Sequence, residues 1–352
     1  MSISSASATR LGSTQRLRVA FEDLWQAHRR ELLVHCYRML GSWTDAEDVL
    51  QDVSLRAWRG LPRFEARASA RAWLYRIATN ACLTALRRRR ERSLPEVLRS
   101  AAPAGAPLGP PVEEARWIQP VPTGADTDVE AVASSRESVT LAFILALQCL
   151  PPRQRAALLL RDVIGYEASE VATMLKTTAP AVNSALIRAR ARLARFRRRH
   201  GAEPRIAPLS AGQQELLMRY VEAWESGDVD AIVSLFSRDA SVSMPPYATW
   251  YRGRAAIVRW LIDHVFADRR VYRLRPTFAN GRPAFAIYES RGPSLSGEDN
   301  SGAFAPHCIQ VLWIARRHVV RAVSFLNPRL VKAFGFPSRL PGGSPKVIRA
   351  GR

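Results

Sequence analysis

The stretch from Glu167 to Arg199 constrains the fold of this chain more strongly than any other. It contains two amphipathic segments joined by Thr177-Thr178-Ala179-Pro180, and a hydroxyl side chain followed by proline is typical of the first turn of a helix. In the second segment, helical spacing separates an apolar face from a polar one. The apolar face comprises Val182, Ala185, Leu186, Ala189 and Leu193, and the opposite face comprises Asn183, Ser184, Ile187 and Arg188. This pattern predicts a helix-turn-helix whose second helix suits the major groove of DNA.

Basic residues dominate the composition: 52 arginines and lysines stand against 31 acidic residues, a net charge of +21 over 352 residues. Such a charge indicates a polyanionic partner, and the clustering of arginines in two helical segments favours nucleic acid over a solvated surface or a membrane surface. No apolar run reaches the roughly 18 residues of a membrane-spanning helix. Residues 1–16 have the composition of a disordered tail rather than of a signal peptide. We therefore expect a cytoplasmic protein without a membrane partner.

The cysteines are scattered along the chain and show no metal-ligand spacing. They are Cys36, Cys82, Cys149 and Cys308. Each lies among apolar neighbours, which predicts reduced thiols in domain cores. We expect neither a metal site nor a cofactor.

Changes in composition divide the chain into segments. Residues 17–92 and 136–200 have helical patterns, and residues 93–135 between them form an acidic stretch rich in Pro, Gly and Ala that predicts a linker. From residue 213 to about 337, helical stretches precede strand-like runs at 271–279, 283–290, 304–314 and 318–326, which predicts an α+β domain. Residues 338–352 are expected to be a basic tail.

A second cationic helix is predicted at residues 69–92. One face carries Ala70, Leu74, Ile77, Ala78, Ala81 and Ala85, and the other carries Arg76, Asn80, Leu83 and Arg87, flanked by Trp73 and Thr84. Arginine, asparagine and aromatic side chains suit contact with phosphates and unpaired bases, although a solvated helix with cations at its end has the same pattern. Upstream, Thr44 and Glu47 predict a capping box for a helix over residues 44–59, whose further acids indicate a protein-docking surface.

These motifs resemble a known family. DAEDVLQDVSLRAWR with RAWLYRIATNACL resembles region 2 of sigma-70-type factors of the extracytoplasmic-function (ECF) group, and LPPRQRAALLLRDVIGYEASEVATMLKTTAPAVNSALIRARARL resembles their region 4. The resemblance covers roughly residues 20–200 and implies core RNA polymerase and promoter DNA as partners.

The resemblance also implies which residues make these contacts. For the −35 element they are Thr178, Asn183, Ser184, Ile187, Arg188 and Arg190. For the −10 element they are Phe64, Arg71, Trp73, Arg76, Asn80 and Arg87, with the loop from Phe64 to Ser69. For the polymerase they are Asp45, Asp48, Gln51 and Asp52. Thr84 stands where many members have an acid, so no contact is assigned to it.

Residues 213–337 resemble a SnoaL-like domain of the NTF2-like superfamily, on LMRYVEAWESGDVDAIVSLFSRDASVSMPPYATWYRGRAAI and VSFLNPRLVKAFGFP. The expected fold is therefore multidomain: two all-α modules and a C-terminal α+β cone. We expect this domain to regulate the sigma modules through intramolecular contact or a small ligand. The candidate contact residues are Pro245, Pro246, Tyr247, Trp250, Asn327 and Pro328.

Two other functions remain open from the sequence. The chain could be a helix-turn-helix regulator that acts without polymerase. Alternatively, the C-terminal domain could be an enzyme, since related folds house cyclases and isomerases with an acid or base in the cone. The candidate acid-base residues are Asp239, Asp263, His264 and His307, and the candidate pocket residues are Met244, Tyr247, Trp250, Tyr251 and Trp313.

Overall fold

The computed structural model describes residues 4–64, 69–87, 91–113, 116–123, 140–200, 208–291 and 303–342. The chain folds into two compact units that do not follow its order. The helical unit combines Met1–Glu91 with Ala146–Ala202, and the sheet unit combines Arg92–Leu145 with Glu203–Arg352. The stretch predicted as a linker therefore belongs largely to the sheet unit.

Three helices form the first half of the helical unit: α1 (Ser4–Leu40), α2 (Trp43–Gly60) and α3 (Ala70–Leu86). α1 begins far earlier than predicted: residues 4–16, which contain no proline, are helical, and this corrects the prediction of a disordered tail. α2 starts after Ser42, whose hydroxyl accepts a hydrogen bond from the Asp45 amide at 3.2 Å. The cap predicted at Thr44 is therefore wrong by two residues. Ser42, which follows Gly41, has the extended backbone of a capping residue, and its side chain reaches the Asp45 amide.

The second half of the helical unit contains the predicted helix-turn-helix. α4 (Pro95–Leu98) lies in the sheet unit; after it come α5 (Leu141–Gln148), α6 (Pro152–Leu158, with a wider turn to Val163), α7 (Ala168–Leu175) and α8 (Ala179–His200). α7 begins with a capping box between Glu167 and Glu170 and ends at Lys176 in the left-handed conformation. α8 buries Val182, Leu186, Ala189 and Leu193, as its periodicity predicts.

The sheet unit is an α+β domain built on a six-stranded sheet of order β2-β1-β6-β5-β4-β3. Its elements are α9 (Ala211–Ser226), α10 (Val229–Ser234), β1 (Phe236–Ser243), β2 (Trp250–Arg252), α11 (Arg254–Trp260), β3 (Arg270–Ala279), β4 (Arg282–Arg291), β5 (Ala305–Ala315), β6 (His318–Phe325) and α12 (Pro328–Ala333). Strands β3 to β6 form an antiparallel meander, and β1 pairs parallel with β6. The apolar core of this unit includes the buried aromatic residues Tyr220, Trp224 and Tyr272. The four strands predicted from residue 271 onward are confirmed as β3 to β6.

Beyond Pro337, the backbone of Leu340 pairs with that of Phe304. The predicted basic tail therefore begins on the sheet, and its residues 343–352 lie outside the described part of the chain. In the described ranges no helix is long and apolar enough to cross a membrane. The same ranges contain no group of three or more His, Cys, Asp and Glu side chains that could hold a metal ion.

Candidate nucleic-acid interface

α8 presents the polar face that the sequence predicts. Asn183, Ser184 and Arg188 are exposed, and Ile187 is 68% exposed although it is apolar. Thr178 caps the helix, because its hydroxyl accepts a hydrogen bond from the Ala181 amide at 3.4 Å. The exposed face lies opposite the buried stripe, so these side chains can enter a groove without disturbing the core.

Arg190 is exposed but already has a protein partner. Its guanidinium forms a fork with Asp162, with Nε–Oδ2 and Nη2–Oδ1 distances of 2.9 and 2.7 Å. These bonds raise the pKa of Arg190 above its ordinary value. Because an exposed ion pair is weak, a DNA phosphate can compete with Asp162 for this side chain.

α3 offers fewer exposed groups than predicted. Arg76 and Arg87 are exposed, whereas Asn80 is half-buried and its Nδ2 donates to the Arg76 carbonyl at 2.9 Å. Trp73 is only 7% exposed and lies against Phe64, with ring centroids 4.9 Å apart. Trp73 thus does not lie on the exposed face, because this position faces α2, where a Cβ added at Gly60 would lie 3.2 Å from the indole. Its contact with the −10 element stays a prediction. Residues 65–68 of the predicted −10 loop lie outside the described residues.

Arg71 is held inside the helical unit by groups that the sequence did not single out. Its Nε and Nη2 donate to Glu31, the shortest contact being 2.7 Å, and its guanidinium lies over the rings of Tyr75 and Tyr166 at 5.0 and 5.7 Å. Burial acts to raise the pKa of Glu31, but the hydrogen bonds from Arg71 and His28 prevail and leave it lowered. The contact between Arg71 and Tyr75 could have been predicted, because residues four apart are neighbours on a helix. The contacts with Glu31 and Tyr166 could not, because these residues come from distant parts of the chain.

α2 carries an acidic face with an apolar continuation. Asp48 and Gln51 are exposed, and half-buried Asp52 pairs with Arg56 at 2.7 Å. Asp45 lies in the first turn of the helix. On the same helix Leu55 is 56% and Trp58 is 37% exposed, two apolar groups that the sequence analysis missed. Helical spacing places positions 48, 51, 52 and 55 on one face, which is typical of a protein-docking surface.

In the sheet unit, three of the six candidate contact residues meet the former linker, here called the strap (residues 92–123). The Pro246 carbonyl accepts from the Val112 amide at 2.9 Å, and Tyr247 forms a bridge with Pro111. Trp250 donates from Nε1 to the Arg99 carbonyl at 2.9 Å. Of the other three, Pro328 occupies the first turn of α12, and Asn327 caps that helix by accepting from the Arg329 amide at 2.9 Å. The Pro245 carbonyl accepts from the Leu326 amide at 2.8 Å.

The strap is attached at both edges of the sheet. Near its start, Glu96 binds Arg321 at 3.1 Å and accepts from the Ser243 hydroxyl at 2.8 Å. Ala102 then pairs with edge strand β2. Near its end, the Thr123 amide donates to the Phe278 carbonyl of the other edge strand, β3, at 3.0 Å.

The strap also packs on the apolar cluster of the sheet unit, through Ala102, Ala106 and Leu108. The Tyr251 hydroxyl donates to the Ala106 carbonyl at 2.6 Å, and the Thr249 hydroxyl donates to the Leu108 carbonyl at 2.5 Å. The strap therefore forms an additional layer of the sheet unit.

The candidate acid-base residues have local partners or lie at the surface. Asp239 is exposed on β1, and Asp263 pairs with Arg259 at 3.2 Å. His264 Nε2 lies 3.5 Å from the Tyr251 hydroxyl, and His307 pairs with Glu289 at 3.2 Å.

Trp313 is wrongly assigned to the pocket. It shares a sheet face with its cross-strand partner Arg321, opposite the apolar cluster that contains Leu312. There it lies between the guanidinium groups of Arg282 and Arg321, at 5.3 and 4.7 Å from its ring centroid.

Comparison with known proteins connects these surfaces to a family. Sigma-70 region 2 matches residues 24–92, Sigma-70 region 4 matches residues 140–193, and the SnoaL-like domain matches residues 217–322. The chain is 44% identical over 323 residues to the ECF RNA polymerase sigma factor SigG of Mycobacterium tuberculosis (strain CDC 1551 / Oshkosh), covering 90% of this chain and 83% of the relative. The chain belongs to the ECF RNA polymerase sigma factors.

Other members of the family support this sigma factor's architecture. It is 28% identical over 249 residues to SigJ of Mycobacterium tuberculosis (strain ATCC 25618 / H37Rv), covering 68% of this chain and 72% of SigJ. The crystal structure of Mycobacterium tuberculosis SigJ matches it with a TM-score of 0.55 at 23% identity, over 89% of this chain and 98% of that one. That likeness shows the fold: helical sigma modules joined to a SnoaL-like domain.

Proposed function

We propose that this ECF sigma factor binds core RNA polymerase and directs it to promoters by contacts at two DNA elements. The observation that carries the proposal is the outer face of α8, where Asn183, Ser184, Ile187 and Arg188 are exposed, opposite the buried residues Val182, Leu186, Ala189 and Leu193. Such a face suits readout of the −35 element as duplex DNA. On α3, Arg76 and Arg87 are available for the −10 element at once, whereas Arg71 must first be released.

The docking surface for polymerase is the α2 face with Asp48, Gln51, Asp52 and Leu55. Charge reversal tests this surface. The double variant Asp48→Arg, Asp52→Arg is expected to lose both binding to core polymerase and run-off transcription, because its new positive charges would repel the polymerase surface that the acidic residues contact. The matched control is Glu215→Arg, Glu222→Arg on α9, which also reverses one exposed acid and one in an exposed ion pair. Retained polymerase binding by the α2 variant would exclude this surface, whereas failure of the unmodified protein to bind core polymerase would favour a DNA-binding regulator that acts alone.

The sheet unit would modulate transcription through the strap. Region 2 ends at residue 92 and region 4 begins at residue 140, so the strap is part of the connection between them. While it is bound, only residues 124–139 of that connection lie beyond the strap, and 16 residues span at most roughly 55 Å. Releasing the strap lengthens the connection and widens the range of separations that the two DNA-binding modules can adopt.

We propose no covalent chemistry for the sheet unit. The Tyr251 hydroxyl, which lies 3.5 Å from His264 Nε2, donates to the Ala106 carbonyl of the strap. Asp263 and His307 are each paired with a charged neighbour. These contacts support a regulatory domain over a catalytic one.

A further inference from the structure

The strap ends on the tight turn that joins β3 to β4. Ala279 pairs with Arg282, so the turn consists of Asn280 and Gly281 alone, with φ angles of 51° and 75°. Asn-Gly is a preferred sequence for a two-residue hairpin turn with two positive φ angles, because asparagine tolerates this conformation and glycine has no Cβ. This is the only Asn-Gly pair in the sequence of the chain.

The strap binds both residues of this turn. Asn280 is fully buried; its amide donates to the Val121 carbonyl at 2.9 Å, and its Oδ1 accepts from the Val121 amide at 2.9 Å. The Gly281 amide donates to the Thr123 hydroxyl at 2.9 Å. Since Val121 and Asn280 are 159 residues apart, these hydrogen bonds exist only while the strap is bound.

An asparagine followed by glycine is prone to spontaneous deamidation. The Gly281 nitrogen attacks Cγ of Asn280 and loses its proton, and the side-chain amide leaves as ammonia, which gives a five-membered succinimide ring. Water then opens the ring at one of its two carbonyls, so that residue 280 becomes either aspartate or isoaspartate. Glycine favours the attack because no side chain shields its nitrogen.

The bound strap opposes the first step of this reaction. The Gly281 N–H donates to Thr123, and its proton has to leave as the new bond forms. The Asn280 side chain is held by Val121, whereas ring closure requires its Cγ to reach the Gly281 nitrogen. The turn is therefore protected while the strap is bound and becomes reactive through local opening, when the strap detaches.

Both products of the reaction fit the strap less well than asparagine does. Isoaspartate adds a carbon to the main chain between the two nitrogens that donate to Val121 and Thr123, so the spacing of these donors no longer matches the strap. Aspartate keeps the spacing but places a carboxylate at a fully buried position, which is costly.

We propose that Asn280 is a deamidation site that reacts only after release of the strap, and that its modification then prevents the strap from rebinding. A transient release of the strap thereby becomes a lasting one. The modification depends only on contacts within the sheet unit. Its effect on transcription rests on the proposed function of the strap.

Mass spectrometry of the tryptic peptide that contains Asn280, after incubation of the full-length protein at mildly alkaline pH, tests the protection. Thr123→Val replaces the hydroxyl that accepts from Gly281 by a methyl group, and we expect it to deamidate several-fold faster than wild type. The matched control Thr123→Ser retains a hydroxyl and is expected to react at the wild-type rate. Equal rates in Thr123→Val and Thr123→Ser would overturn the proposal.

Circular dichroism identifies loss of folding in Thr123→Val, in which case the comparison of native with urea-unfolded wild-type protein decides. We expect deamidation of Asn280 to be several-fold slower in the native protein, and an equal rate in both states would also overturn the proposal.

Asn280→Asp tests whether the modification prevents rebinding. We expect trypsin to cut this variant after Arg116 of the strap several-fold faster than wild type. The matched control is Asn183→Asp, at an exposed position of α8, which should leave the rate unchanged. Equal cleavage of Asn280→Asp and wild type would overturn the proposal. Faster cleavage with unchanged run-off transcription would instead contradict the proposed role of the strap in transcription and leave the modification site supported.

Discussion

His35 illustrates how one buried residue makes region 2 sensitive to acid. Its imidazole is fully buried, and Nε2 lies 2.9 Å from the Thr79 hydroxyl. Burial, with a smaller effect from Arg38, lowers the pKa of His35 from 6.5 to about 3. Between these values the unfolded chain binds a proton that the folded chain does not, so stability is complete above pH 6.5 and falls as the pH decreases.

We therefore expect the free energy of unfolding of region 2 to fall by about 1.4 kcal/mol per pH unit below pH 6.5 on account of His35. His35→Gln should reduce this slope, and His318→Gln, at an exposed site, should leave it unchanged. Hydrogen exchange of the α1 and α3 amides between pH 7 and pH 5 measures the effect. The same slope in wild type and His35→Gln would show that another group titrates.

Arg188 is the residue on which −35 recognition is most directly testable. Arg188→Ala is expected to lower transcription from a −35-dependent promoter, with a loss of about 1–3 kcal/mol if the contact to a base is bidentate. The control is Arg197→Ala, which removes one exposed positive charge near the end of the same helix. Unchanged run-off transcription by Arg188→Ala, with purified polymerase, would reject the assignment.

At the scale of elements, local patterns predicted the helix-turn-helix and the strands of the meander, because periodicity and capping act over a few residues. The strap was not predicted as structure, because its partners lie far away in sequence: Glu96 and Arg321 are separated by 225 residues. β2 was also missed, since three residues give too little alternation. Trp73 was misplaced because an aromatic residue at the border of a helical face can lie on either side.

Glu96 provides a test of the strap as an element. Glu96→Gln weakens its ion pair with Arg321, so the strap should detach more often and trypsin should cut after Arg99 several times faster. The matched control is Glu113→Gln, an exposed carboxylate of the same segment. Mass spectrometry of the early fragments gives the rate at Arg99. Equal rates in wild type and Glu96→Gln would show that the ion pair does not hold the strap.

At the scale of the whole molecule, the chain does not form three domains in sequence order. The segment between the sigma regions belongs to the sheet unit, an arrangement that composition alone could not predict because Pro, Gly and Ala also suit a free linker. The candidate surfaces were predictable where function requires exposed groups in a pattern, as on α8. The exposure of a candidate residue was not predictable where it depends on tertiary partners, as for Arg71.

Removing residues 206–352 should change transcription by the sigma regions, since it leaves the strap without its binding surface. Run-off transcription with core polymerase, comparing the full chain with residues 1–205, is expected to give different amounts of product at equal protein concentration. The direction of the change reports whether the bound strap restrains or supports promoter engagement. Identical product at every concentration would leave the sheet unit without a role in this step.

The long separation between the strap and its partners also has a consequence for biosynthesis. Ribosomes add about 5–20 residues per second, so Arg321 follows Glu96 by roughly 11–45 s. Both sigma regions are complete in the nascent chain before the last strand that holds the strap is made. Each new molecule therefore passes through a period in which its two sigma regions exist without a completed sheet unit.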